Sequence, residues 1–395
     1  MSPRDADTRP ERSVRASKRS GGAGRLRIGI DAHAVGRRKT GNERVITNLV
    51  QALCRRSDHE LFVYVTDAAD PELWSDLDQV TLRAIGRPNP LRRLGLSLPR
   101  ASRRDSLDVL LCEYTRPLHV ACPVATMVAD VSFARFPEYF GRGERLWLSN
   151  AVPLSMRHSA RIITVSEFSR SEICSLFGIA PEQVTPIPNG VDPIFTAAEG
   201  EPGPRGPIDS APYFLAVGNI QPRKNLDLLL SAYAELISEV PETPERLVLV
   251  GQSQYRADTI LERAQHPPLV GRVSLAGFVS DEELAALYRG ASAFLYPSNY
   301  EGFGLPPLEA MASGAPVAVA DIPVMREVVG DAALRLPPAD VGAWTAALAR
   351  LSGERELRAG LIERGRERAA AFSWDRTADL MIETLTELAV AGARD

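Results

Sequence analysis

The chain predicts an α/β protein of two doubly wound domains, each a parallel sheet with helices on both faces. Three observations carry that expectation. Short apolar runs alternate with longer stretches of helical periodicity, the pattern of a parallel sheet built from βαβ units. A polar stretch dense in Gly and Pro, TAAEGEPGPRGPIDSAP at 196–212, interrupts the alternation and reads as a linker. A length of 395 residues exceeds what one hydrophobic core usually serves.

Composition places the chain among ordinary soluble globular proteins, with 45% hydrophobic and 24% charged residues. A formal net charge of -4 lacks the basic surplus of a general nucleic-acid binder, so no nucleic-acid partner is expected. No apolar run approaches the length of a membrane span, and the N-terminus has no apolar signal-peptide core. Cys54, Cys112, Cys122 and Cys174 lie far apart without metal or disulfide spacing, which suits reduced thiols in a cytoplasmic protein. Only three of the 46 basic residues are lysine (Lys18, Lys39 and Lys224), so a lysine beside an arginine, as at Lys224, stands out.

Residues 1–24 are basic, polar and without hydrophobic periodicity, the composition of a disordered tail. The first domain is expected over 25–195. It opens with the strand LRIGIDA (26–32), then a Gly-bearing loop, then a helix whose Val45, Ile46, Leu49, Val50 and Leu53 share one face. That loop has neither G-x-G-x-x-G nor the G-x-x-x-x-G-K-[ST] phosphate loop. Further strands are expected at 60–66, 80–85, 109–113, 123–130, 161–166 and 184–188, with helices between most of them. Ser166 is a good N-cap for the helix EFSRSEICSLF. The segment 87–104 sets Arg87, Arg92, Arg93, Arg100, Arg103 and Arg104 among Leu91, Leu94, Leu96 and Leu98. It suits peripheral contact with an anionic membrane or a lipid-linked acceptor. The plainer expectation, and the favoured one, is a solvated helix-loop with its leucines turned into the core.

The second domain is expected over 213–374, opening with YFLAVGN (213–219), a buried strand that ends at Asn219. The next turn places Arg223 and Lys224 at the junction with an amphipathic helix, where a guanidinium fork and a compact ammonium make a diphosphate clamp. As bare surface cations they would be poorly placed at a helix N-terminus. RLVLVG (246–251) and VSLAGFV (273–279) read as strands, and Ser280 with Glu283 forms a capping box for the following helix. A charged amphipathic helix runs to about Ala371, and a last helix occupies 375–395.

The most informative stretch is NYEGFGLPPLEAMASGAPVAVAD (299–321). It lies between the apolar strand ASAFLYP and a second one, APVAVA. Between them the turn Glu301-Gly302-Phe303-Gly304 leads into a helix whose first turn holds Pro306 and Pro307, where a missing backbone donor is tolerated. Strand, glycine turn, helix and strand make an anion site, with free N–H groups from Phe303 to Leu305 pointing towards it. Glu301 and Glu309 flank that site. Carboxylates repel phosphate and serve better on sugar and ribose hydroxyls to either side. The bland alternative makes Glu309 a helix-dipole carboxylate and Glu301 an exposed loop charge. A capping box at Glu309 is excluded, because Pro306 stands where its partner would be.

EGFGLPPLE resembles the Glu-x7-Glu signature of retaining glycosyltransferases with the GT-B fold, specifically glycosyltransferase family 4, and the likeness runs from about Arg27 to Trp374. DVSFARFPEYF (130–140) is similar to a segment of bacterial mannosyl- and related transferases of surface polysaccharide assembly. The resemblance implies two Rossmann-like doubly wound domains facing each other across a cleft. It implies a hexosyl group moved from a GDP- or UDP-sugar to a hydroxyl of a glycan or lipid-linked glycan, with retention and without a covalent intermediate. Glu301 would then lie by the donor sugar with Asp130 nearby, Glu309 would hold the ribose, and Arg223 and Lys224 would take the pyrophosphate. Gly302, Phe303, Gly304, Leu305, Asn219, Thr40 and Gly41 would complete the donor side, and the last helix would cross back to the first domain.

Asp76-Leu77-Asp78 matches the metal-holding Asp-x-Asp pattern but lies in a polar segment, so neither a metal nor another cofactor is expected. One departure from the family stands out: its common His-Asp pair is here Ala129-Asp130. The resemblance then implies a donor without the 6-hydroxyl, such as a 6-deoxyhexose, or a water or another residue in that space. A sugar-nucleotide epimerase on the same fold, or a non-catalytic binder of such nucleotides, would carry parts of the same site.

Overall fold

The computed structural model describes residues 24–36, 40–67, 69–70, 74–196, 211–253 and 257–393. The expected tail and linker fall almost wholly outside these residues, as does part of the first Gly-bearing loop. Seven parallel strands form the first sheet: β1 (Arg27–Asp31), β2 (Glu60–Val65), β3 (Val80–Ala84), β4 (Val109–Glu113), β5 (Val124–Met127), β6 (Arg161–Thr164) and β7 (Val184–Pro186). Six form the second: β8 (Tyr213–Val217), β9 (Arg246–Val250), β10 (Val273–Gly277), β11 (Ala293–Tyr296), β12 (Val317–Ala320) and β13 (Leu334–Leu336). The orders are β3-β2-β1-β4-β5-β6-β7 and β10-β9-β8-β11-β12-β13. Both orders reverse beside the first strand of the sheet, and such a switch point opens a crevice at the strands' C-terminal ends. The register there sets Ile30 beside Leu111 in one sheet and Phe294 beside Leu215 in the other.

The central strands are runs of Val, Ile, Leu, Ala and Phe because helices cover both faces and leave no solvated side. Several expected strands stop early. β5 ends at Met127, so Val128 to Asp130 form a loop beyond the sheet. The expected single helix up to Ala371 is two, Val341–Gly353 and Arg355–Ala370, broken where Glu354 turns extended (φ -88°, ψ 94°) after a glycine. The last helix, Trp374–Gly392, is capped by Ser373 and packs on the helix Thr40–Arg56. Its Trp374, Ala378, Met381 and Leu385 join Ile46, Leu49 and Val50 in the first domain's core. Trp374 therefore belongs with this helix, one residue ahead of the expected boundary.

The segment 87–104 corrects the expectation of a solvated helix-loop. Arg93 is buried, bonded to the Asp31 carboxylate and to Thr115 Oγ1 (2.9 Å), because its π-helical turn faces the ends of β1 and β4. Leu98 is in the core, but Leu91 and Leu96 face solvent.

Contacts between the domains are specific. Glu327, on the second domain's helix Pro323–Val328, accepts the backbone N–H groups of Glu167 (2.8 Å) and Phe168 (3.0 Å) and so caps a first-domain helix. Gly190 lets the chain pass the last helix closely: a Cβ there would lie 2.1 Å from the Trp374 nitrogen. Gly190→Ala is expected to destabilise by about 1–3 kcal/mol through overpacking. Removing the exposed Arg55–Asp375 pair with Arg55→Ala should stay under about 1 kcal/mol. Thermal unfolding of both variants checks this, and a Gly190→Ala midpoint equal to wild type would refute the close packing.

Candidate active site

The turn after β11 is held by charge. Arg223 and Lys224 occupy a 3-10 turn, Pro222–Lys224, that follows β8. Asn225 ends it in the left-handed region (φ 54°), a conformation asparagine tolerates, and its amide donates to the carbonyls of Pro297 (3.2 Å) and Pro338 (2.9 Å). The turn is thereby tied to the segment after β11. Glu301 sits between the two cations, 2.8 Å from Arg223 Nη1 and 2.7 Å from Lys224 Nζ. Lys224 Nζ also donates to Tyr296 Oη (2.8 Å), and Arg223 donates to the Tyr300 carbonyl (2.6 Å). Burial pushes the Glu301 carboxyl up, but Arg223 and Lys224 outweigh it and bring the carboxyl down to about 2. Two cations against one carboxylate suit an anion that accepts hydrogen bonds from both.

Glu309 sits midway along the helix Leu305–Ala312, almost fully buried. Arg44, from the first domain's helix Thr40–Arg56, crosses to it at 2.7 Å and also bonds Asp281. Tyr288 Oη donates to the other Glu309 oxygen at 3.1 Å. Burial raises the Glu309 carboxyl above its ordinary value, and Arg44 and Tyr288 offset this only in part. Glu301 is thus not an exposed loop charge, and Glu309 is a buried carboxylate paired with Arg44 across the domains.

At Gly302 the second domain's backbone packs closely on the first domain. A Cβ there would lie 2.4 Å from the Ala129 carbonyl oxygen and 2.9 Å from Asp130 Cβ. The Gly302 carbonyl accepts hydrogen bonds from Ser166 Oγ (2.6 Å) and Ser169 Oγ (3.1 Å). Asp130 Oδ1 accepts the Ser132 N–H (2.8 Å), so this carboxylate also shapes its own turn. The Ala129 carbonyl accepts Ser169 Oγ at 2.9 Å.

Other sequence candidates fall differently. The Phe303 side chain is a core group packed edge-on to Phe372 at 5.7 Å, which leaves its backbone to the turn. Gly304 (φ 120°) needs a glycine, since a Cβ there would also press on Met325 Cε at 2.6 Å. Leu305 starts the helix, and Asn219, half-buried, follows Gly218 at the end of β8. Gly41 is exposed with open space around it, and it is Arg44, three residues on, that reaches the second domain. Thr40 begins the same helix. Asp76 and Asp78 are exposed in a turn, and no metal-ligating cluster occurs among the described residues.

Sequence reading missed Arg44, Tyr288 and Tyr296, and also a charge group at the end of β1. There Asp31, buried, pairs with Arg93, and His33 Nδ1 lies 3.4 Å from Asp31 Oδ1. Burial raises the Asp31 carboxyl, but Arg93 and His33 bring it below its ordinary value. A polar residue closing an apolar strand, as in RIGID, is the one signal that pointed there.

The Glu301 cluster has a pH signature. Its carboxyl is depressed in the folded state from 4.5 to about 2, so its stabilisation is full above pH 4.5 and is lost as pH falls towards 2. Above that range the linkage is worth about 3 kcal/mol. The stability gap between wild type and Glu301→Gln, measured by urea unfolding from pH 7 to pH 3, should be constant above pH 5 and close below it. A gap independent of pH would contradict the assignment.

Two family models cover this architecture. One, described as glycosyl transferases group 1, matches residues 202–368, and the other, glycosyltransferase family 4, matches 40–195. O-antigen chain mannosyltransferase B of Escherichia coli is 33% identical over 261 residues, covering 63% of this chain and 66% of that relative. The chain spans between about half and two thirds of the length of such curated relatives. Sucrose-phosphate synthase from Thermosynechococcus elongatus superimposes with a TM-score of 0.77 at 20% identity, over 93% of this chain and all (100%) of that one. Anabaena HepE in complex with UDP and glucose superimposes at 0.70 and 18% identity, over 92% and 100%. At these identities the structural likenesses speak for the fold, which is GT-B. With two sheets of matching order, a charged turn at their junction and both domain models in sequence, the chain belongs to the group 1 glycosyltransferases of family 4.

Proposed function

We propose that the protein is a glycosyltransferase that moves a hexosyl group from a GDP- or UDP-sugar to a hydroxyl of a glycan or lipid-linked glycan, with retention and without a metal. The observation that carries this reading is the convergence of Arg223, Lys224 and Glu301 at the switch point of the second sheet, against Gly302 and Asp130 at the domain boundary. A departing nucleoside diphosphate develops charge on its oxygens, and two buried cations fixed in advance can stabilise it without reorganising. Glu301 compensates those cations, so an arriving diphosphate shares or displaces it. Glu309 serves the ribose hydroxyls, which requires Arg44 to share that carboxylate. Asp130 and the turn at Ala129 border the sugar, and a 6-deoxyhexose remains part of the proposal at that position. The mannosyltransferase relatives favour a mannosyl group among the hexoses.

The two glutamates should separate in function. Glu309→Ala weakens binding of free GDP or UDP, while Glu301→Gln lowers turnover and leaves nucleotide affinity unchanged or tighter, because two cations lose their internal partner. Calorimetry with GDP and UDP alongside turnover tests this. Wild-type binding and turnover in both variants would remove the assignment.

Leaving-group stabilisation by protein cations has its own test. Arg223→Ala and Lys224→Ala are each expected to raise the barrier by about 2–4 kcal/mol. Excess EDTA should leave the wild-type rate essentially unchanged, whereas a strict Mg²⁺ or Mn²⁺ requirement would count against the reading.

A further inference from the structure

A groove of about 810 Å³ lies on the first domain between segment 91–99, the loop 116–119 and the helix Arg142–His158. Its volume is that of a small-molecule site. Leu91, Leu94, Leu118, Leu146, Trp147 and Leu154 line it. Leu91 (74% exposed), Leu118 (58%) and Leu146 (69%) leave large apolar surface open on adjoining elements, which a soluble chain rarely does without use.

The groove's charge is one-sided. Segment 91–99 and loop 116–119 carry no acidic residue, and the helix carries only Glu144. Among the described residues, Arg92, Arg100, Arg142, Arg145 and Arg157 have no carboxylate partner. Among the described residues, the guanidinium of Arg116, on the groove wall, donates to the carbonyls of Pro117 (2.9 Å) and His158 and to no carboxylate. Arg116 on the wall and the further arginines on the same elements set positive charge beside an apolar trough, which complements an amphiphile with an anionic head.

The chain links the trough's wall to the strand ends at the first sheet's switch point. Arg93, within the groove-wall segment, bonds Asp31 at the end of β1 and Thr115 just beyond β4. These two strands flank the first sheet's switch point. Tyr114, in the left-handed region (φ 55°), turns the chain from β4 into the groove wall at Arg116, two residues or at most about 7 Å further on. Its backbone N–H donates to the Met127 carbonyl (2.8 Å), at the end of the strand that leads to Asp130.

We propose that this groove takes the hydrocarbon chain of a phosphorylated single-chain lipid that carries the acceptor sugar, with the head at the cleft and the tail along the leucines. This deepens the transferase reading by naming the acceptor's class, and only the role of the head rests on that reading.

The test titrates the full chain with farnesyl diphosphate and follows tryptophan fluorescence. Trp74, Trp344 and Trp374 are buried, whereas Trp147 is half-buried on the groove wall and reports occupancy. The expected result is saturable binding that weakens at least about tenfold, one decade in Kd, in Leu118→Glu/Leu146→Glu. Leu91→Gln, at a more exposed position, serves as a second variant should the first unfold. Farnesol and inorganic diphosphate should each bind at least about tenfold more weakly than the intact probe. Unchanged affinity in both variants, or farnesol binding as well as its diphosphate, overturns the proposal. So does binding only to phosphatidylglycerol vesicles, which would indicate a bilayer surface. A dimer that the double variant dissociates would make the groove a self-interface and would also overturn it. Thermal shifts with UDP and GDP run in parallel: their loss strikes the transferase reading, while lipid failure with nucleotide binding intact strikes this inference alone.

Discussion

The ion cluster of Glu301 with Arg223 and Lys224 holds the second domain's active face together. Two neighbouring buried cations repel and lose hydration, and only a carboxylate between them makes their burial tolerable. Glu301 supplies it from the turn after β11, so the turn after β8 and the turn after β11 are held as one piece. Asn225 reinforces the same link from the backbone side, through the carbonyls of Pro297 and Pro338.

That pinned turn in turn sets how the domains meet. Gly302 follows Glu301 directly and has no Cβ, so its backbone can press on Ala129 and Asp130. Its carbonyl then falls within reach of Ser166 and Ser169, and Ser166 also caps the helix that Glu327 approaches from the other domain. A residue with a side chain at 302 would separate these surfaces and carry the charged turn away from the first domain.

Arg44 adds a second crossing, onto Glu309. Both glutamates of the motif are therefore compensated by protein cations, one from its own domain and one from the opposite domain. Their environments differ as a result. Glu301, between two cations, is held well below its ordinary value, while Glu309, with one guanidinium and a tyrosine against deeper burial, lies above it. Two chemically identical side chains eight positions apart thus differ in proton affinity, which matches the different tasks proposed for them.

What the sequence determined by itself was whatever depends on near neighbours. Alternating apolar runs specified two parallel sheets, Ser166 and Ser280 marked helix starts through hydrogen bonds three residues away, and the glycines and prolines of EGFGLPPLE specified a turn leading into a helix. Arg223 and Lys224 were legible as cations at a turn leading into a helix and Glu301 and Glu309 as carboxylates flanking a glycine turn, and the Glu-x7-Glu resemblance joined the four into one group. Tertiary structure alone decided who partners whom. Arg44 meets Glu309 across 265 positions, and Arg93 meets Asp31 across 62. Such pairs depend on strand order and on the facing of two domains, which no local period encodes. For the same reason the leucines of 87–104, expected in the core, were sorted only by the fold, which buried Leu98 and left Leu91 beside an open groove.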